Sequence, residues 1–217
     1  GAWLGRCAGC VLGKPVEGWP TDQVRTYLQA VDAWPPRGYL PALGTRSVQF
    51  PPMKPSWPEA TAGNVAGMPR DDDIDYTLLG LHVIETHGFH ADRRALAGEI
   101  LDRLPFTQVF TAERVAYANL VCGLDVDRAG EFRNPYREWI GALIRADIHG
   151  MTAPGMPRVA ATGALRDAWL THRANGVYAA MWAAGAVSAA VAGASPRATV
   201  EAGLGQVPPS SRSAAAV

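Results

Sequence analysis

Residues 177–193 read VYAAMWAAGAVSAAVAG, 17 residues without a charge. A stretch of this kind belongs in a lipid bilayer or at the centre of a helical protein. Seventeen residues lie at the short end for a span, and alanine, its main constituent, contributes little to membrane transfer. The stretch is therefore expected as a buried central helix, which commits the chain to a fold built of helices around it. The remaining sequence agrees. Apolar residues recur every three to four positions, and no run alternates Val, Ile, Thr and aromatic residues as a strand does.

Helices are expected over 2–12, 21–31, 75–86, 91–104, 109–120, 136–146, 157–173, 177–192 and 196–204. Thr21-Asp22 opens the second, and Ser195-Pro196 gives the last an N-cap and a proline at N1. His172 and Arg173 fall in the final turn of the seventh, which Asn175-Gly176 is expected to end with a left-handed residue. Between 33 and 70 the periodicity dissolves. Eight of the 17 prolines lie there, and the stretch reads as a long irregular loop or small subdomain. The tail GQVPPSSRSAAAV shows no evident cap or closing element.

A length of 217 residues with 48% hydrophobic and 18% charged content suits one domain with a sizeable core. Lys plus Arg equals Asp plus Glu, 20 against 20, which argues against nucleic acid or an acidic membrane as partner. Cys7, Cys10 and Cys122 make no disulfide framework, and the start GAWLGRCAGC lacks the order of a secretory leader. A reducing cytoplasm is the expected compartment.

The chemistry concentrates in RDDDIDYTLLGLHVIE, which sets Asp71, Asp72, Asp73 and Asp75 where a helix begins. A helix N-terminus offers roughly half a positive charge, enough for one or two carboxylates, and only Arg70 is adjacent in sequence. A hard divalent cation relieves the repulsion of the rest; an over-supplied helix cap is the plainer reading. In GRCAGCVLGKPVEG, Gly5, Ala8, Gly9 and Gly13 are small residues that permit close backbone approach, and Glu17 follows in a loop. The Cys7-x-x-Cys10 spacing lacks the second pair a zinc site needs and the preceding strand a redox site needs. In NPYREWIGALIRADIHG, Arg137, Arg145, Asp147 and His149 crowd with two aromatics, a set that suits a phosphate-and-ribose ligand or an ordinary amphipathic helix. No G-x-S-x-G, P-loop or G-x-G-x-x-G is present.

Taken in order, the small-residue helix, LGKPVEG, the acidic cluster opening a buried helix, TAERVAY, NPYREWIGA and RDAWLTH…NGVYAAMWAAGAVSAA resemble the ADP-ribosylglycohydrolases over essentially the whole chain. The resemblance implies an all-α orthogonal helical bundle with a two-magnesium site, manganese being the alternative ion. It implies a hydrolase that cleaves the glycosidic bond between ADP-ribose, or a related nucleotide-sugar, and a modified group. It places Asp71, Asp72 and Asp73 as metal ligands, Asp71 standing where a Thr is usual. Glu17 is then a catalytic or ribose-holding carboxylate, with Asp72 the second catalytic residue, while Asp147, His172 and Gly176 lie in the part that holds ADP-ribose. The implied partner is an ADP-ribosylated protein or a small ADP-ribose-containing substrate. The family's second metal motif, an Asp-x-Asp pattern near its C-terminus, is not found after Ala198, where Glu201 is the one acid. Two expectations follow. Either the chain is a C-terminally truncated member or fragment of the hydrolase, or it is a non-catalytic ADP-ribose- and metal-binding helical domain.

Overall fold

A computed structural model describes residues 1–43 and 49–217. The chain divides into two compact units, Gly1–Ile74 and Asp75–Val217. Among the described residues there is no strand, and the all-α reading holds.

The first unit holds α1 (Ala2–Gly13), a 3-10 turn (Lys14–Val16), α2 (Thr21–Ala30), α3 (Trp57–Ala60) and the first residues of α4 (Asp72–His87). α1 and the turn run together because Pro15 has no amide hydrogen to continue the α pattern. The Pro-rich 33–70 stretch, apart from residues 44–48, which lie outside the described residues, shares a core with α2. Tyr27, Leu28 and Leu40 are buried there against Trp19, Val24, Phe50 and Met53. Trp19 stacks on Phe50 at 6.1 Å between centroids, and Tyr27 meets both edge-on. The Tyr27 hydroxyl donates to the Pro41 carbonyl, and Ala62 N–H donates to Leu40 O at 2.8 Å. Aromatic packing thus orders a segment without periodic structure. The small residues of α1 have a different outcome from the expected one: a Cβ added at Gly5, Gly9 or Gly13 meets nothing within 4 Å among the described residues.

The second unit continues α4 and adds α5 (Arg93–Arg103), α6 (Thr111–Val121), α7 (Val126–Ala129), α8 (Asp147–Met151), α9 (Pro157–Ala168), α10 (Ala174–Val191), α11 (Pro196–Leu204) and α12 (Arg212–Ala216). The charge-free stretch is α10, long and apolar enough by composition to cross a membrane, and it packs against α8, α9 and α11. Its alanines 180, 183 and 184 join Ala160, Ala164 and Ala168 of α9 in one buried cluster. Small side chains let these helices approach closely, so dispersion contacts replace the bulk of larger residues. A second cluster joins Tyr76, Leu79 and Val83 of α4 to Leu96, Ala97 and Ile100 of α5, with Val109 and Leu170.

Three expectations are corrected. Residues 136–146 form turns and a 3-10 turn (Leu143–Arg145), not a helix. Asn134, 1% exposed, is the reason: its amide donates to Ala112, Gly130 and Thr171 carbonyls, each at 3.1 Å, while its oxygen accepts from Tyr136 N–H. Those bonds fix the chain in a turn where a helix would start. The seventh expected helix ends at Ala168, and Arg173 N–H then donates to Arg137 O. Asn175 and Gly176 lie inside α10, and the left-handed residue is Ala174, φ +44°. The tail closes on α12, where the Ser211 hydroxyl caps Ala214 N–H.

Candidate functional site

Arg6, Cys10 and Lys14 recur every four residues and so share one face of α1 and its turn. Opposite them in the same unit stands the start of α4. Asp71 is its cap: one oxygen accepts from Asp73 N–H at 2.9 Å, and the other is paired with the Lys14 ammonium. Arg6 pairs with the Asp73 carboxylate at 3.5 Å and donates to its carbonyl at 3.1 Å. The sulfur of Cys10 and carboxylate oxygens of Asp71 and Asp73 lie within 4.8 Å of one another, close enough to hold one metal ion.

The electrostatics follow from this crowding. Burial, then the neighbouring Asp73 charge, raises the Asp72 carboxyl above its ordinary range, with Glu17 adding in the same direction. Burial and Asp73 push the Cys10 thiol up to about 11, so at neutral pH it brings no charge to the cluster. Glu17 is exposed and forms an ion pair with Lys54 at 3.5 Å. In the converging set the two carboxylates of Asp71 and Asp73 suit a hard ion such as magnesium or manganese, the Cys10 thiol is the softer third donor, and Asp72 is outside the group. Lys14 is a cation already seated on one of those carboxylates.

The other candidates lie in the second unit. Asp147, 8% exposed, accepts from the Thr77 hydroxyl on both oxygens, at 3.1 and 3.3 Å. His172 has no exposed surface; its Nδ1 lies 2.7 Å from the Thr171 hydroxyl, and its Nε2 has no hydrogen-bond partner among the described residues. Burial, then the Arg145 charge, brings it down to about 3, so it is neutral. Gly176 is buried where the chain leaves no room: a Cβ there would stand 2.8 Å from both Arg137 O and the His172 ring. His172 and Gly176 therefore touch one another.

Arg145 and His149, which the sequence offers as ligand contacts, are turned into an internal network. Arg145 pairs with Asp167, donates to Glu113 at 3.1 Å and to the Thr171 hydroxyl at 2.8 Å. His149 Nε2 sits 3.4 Å from the second Asp167 oxygen. Burial is the largest influence and raises the Asp167 carboxyl, but the Arg145 charge, the His149 ring and their hydrogen bonds together outweigh it and leave Asp167 below the ordinary range. Sequence reasoning missed Arg6 and Lys14 and weighed Cys10 only as half of a C-x-x-C pair; their four-residue spacing marks a shared helix face but not the acids that it meets, Asp71 lying 57 residues on from Lys14. It also missed Glu113 and Asp167, for which the sequence carries no signal, because burial of a lone acid on a helix is set by distant contacts.

Among the described residues the fold is all-helical, with two carboxylates and a thiol gathered at a helix start. The model of the ADP-ribosylglycohydrolase family matches residues 1–217, and the chain belongs to that family. No curated protein and no solved structure matches it.

Proposed function

We propose that the protein is a magnesium-dependent hydrolase that cleaves the glycosidic bond joining ADP-ribose to a modified side chain or small group. Family membership supports hydrolysis of an ADP-ribosyl bond. The observation that carries the metal reading is the convergence of Asp71 and Asp73 with Cys10 at the start of α4; Asp72 lies between the two aspartates in sequence and outside that group. Asp71, Asp72 and Asp73 would hold the ion. When bound, a divalent ion lowers the pKa of a coordinated water and polarises the bond being broken. In this reading Glu17, exposed and paired with Lys54, would take a proton from the attacking water or anchor a ribose hydroxyl. Water adds across the bond, so the products are ADP-ribose with a free anomeric hydroxyl and the released amine or alcohol. The ADP-ribose contacts are assigned to the segments carrying Asp147, His172 and Gly176. With Thr77 on both its oxygens Asp147 is firmly oriented, while the enclosed His172 and the tight Gly176 shape the backbone around them. An ADP-ribosylated protein in a reducing cytoplasm, where Cys7, Cys10 and Cys122 stay free thiols, is the partner this reading takes.

A second reading, a non-catalytic domain that binds ADP-ribose and a cation, is favoured by one observation: Asp71 and Asp73 already have Lys14 and Arg6 as partners. Incubation with ADP-ribosyl-arginine and ADP-ribosyl-serine peptides, with magnesium and with chelator, separates the two. Magnesium-dependent release of ADP-ribose is the expected result. Binding of ADP-ribose without release from either peptide would leave the second reading.

A further inference from the structure

We propose that Lys14 is a built-in competitor for the cation seat at Asp71, and that its ammonium sets how tightly the Asp71–Asp73 cluster holds a divalent ion. The inference rests on the metal reading above. Both Asp71 oxygens have partners, Asp73 N–H on one and Lys14 on the other. The amide is fixed by the first turn of α4, whereas the ammonium rides a flexible four-carbon stem. An ion that closes on Asp71 therefore displaces Lys14 or sits beside it against repulsion. Solvent does little to weaken that repulsion, since the Lys14 and Asp71 side chains are 14% and 7% exposed. The Lys14 charge also bears on Asp72 and Cys10, so it faces the whole cluster rather than one oxygen. Arg6 on Asp73 acts at the far side and is left in place by the test.

The test is a titration of the full chain with Mn2+, free ion being read by electron paramagnetic resonance and the fold by circular dichroism. Lys14→Met should bind Mn2+ about tenfold more tightly than the unchanged chain, the effect of removing one unit charge a few ångströms from the ion at a partly buried seat. Lys14→Gln serves if the Met variant is poorly folded. Lys14→Arg keeps the charge and should bind no more tightly than the unchanged chain. Arg197→Gln removes an exposed cation paired with Glu201 on α11 and should leave the affinity unchanged. If the unchanged chain binds Mn2+ and Lys14→Met binds it equally or less well, the competitor role is wrong. Tightening by Lys14→Arg, or an equal gain in Arg197→Gln, overturns it as well. No uptake at millimolar Mn2+ by either the unchanged chain or Lys14→Met would instead sink the metal reading itself.

Discussion

A guanidinium with 3% of its surface exposed must be neutralised inside the protein, and Arg145 is, by Asp167 and Glu113 together. Removing Asp167 breaks one of these two buried ion pairs and leaves the Arg145 Nε–H without its acceptor. Asp167→Asn should therefore lower unfolding free energy by about 3–5 kcal/mol, measured by urea denaturation. A loss below about 1 kcal/mol would mean that the network behaves like a solvent-exposed pair. The acids at the start of α4 call for the opposite expectation. Asp72 is half-buried and its carboxyl is raised by burial and Asp73, so Asp72→Ala relieves repulsion and should leave the melting temperature within a few degrees of the starting value. The same substitution should lower magnesium-dependent release of ADP-ribose at least about a hundredfold. Unchanged turnover would remove Asp72 from the catalytic assignment.

Helices here are held by how closely their backbones approach, and two glycines show it with opposite signs. Gly150 of α8 faces α10: a Cβ there would lie 2.6 Å from Ala184 O and 2.7 Å from Val187 Cβ. Gly98 of α5 has nothing among the described residues within 4 Å of an added Cβ. Gly150→Ala should lower unfolding free energy by about 1–3 kcal/mol, and Gly98→Ala should raise it by about 0.5–1 kcal/mol. Parallel denaturant melts check both, and equal signs would refute the packing described for α8 and α10. At this scale most of the fold was legible. The charge-free stretch, the apolar period and the Ser195-Pro196 cap identify α10, α4 and α11, and α11 begins and ends where its cap and periodicity place it. The 136–146 segment was not, because the Asn134 bonds to Ala112 and Thr171 reach 22 and 37 residues along the chain. Within the acid cluster the carboxylates were legible from their density. Their tethered cations were not, because Lys14 and Asp71 are 57 residues apart in sequence.

Acid should weaken the whole molecule in two windows. His172 is held neutral down to about 3 against an ordinary value of 6.5, so the unfolded chain binds a proton that the folded one refuses. Its contribution is complete above pH 6.5 and falls away as the pH drops from there toward 3. Glu99 behaves likewise at lower pH. Its hydrogen bonds with His87 and Arg103 hold it down to about 2 from 4.5, so what it contributes is present above pH 4.5 and is lost as the pH falls through 2. Melting temperature followed from pH 7 to pH 4 should fall, and His172→Gln should flatten the part of the curve above pH 4.5. A curve of the same slope in that variant would place the loss elsewhere.

The buried Glu113–Arg145–Asp167 network also bears on how chains of this kind diverge. Glu113 and Asp167 are both tied to Arg145, so replacing the arginine strands two carboxylates in the interior, and an acceptable change there has to alter more than one of the three at once. Pairs at the surface, such as Arg197 with Glu201, carry no such penalty and are free to drift. Replacement at the three buried positions is thus expected to be slower and more concerted than at the Arg197–Glu201 pair.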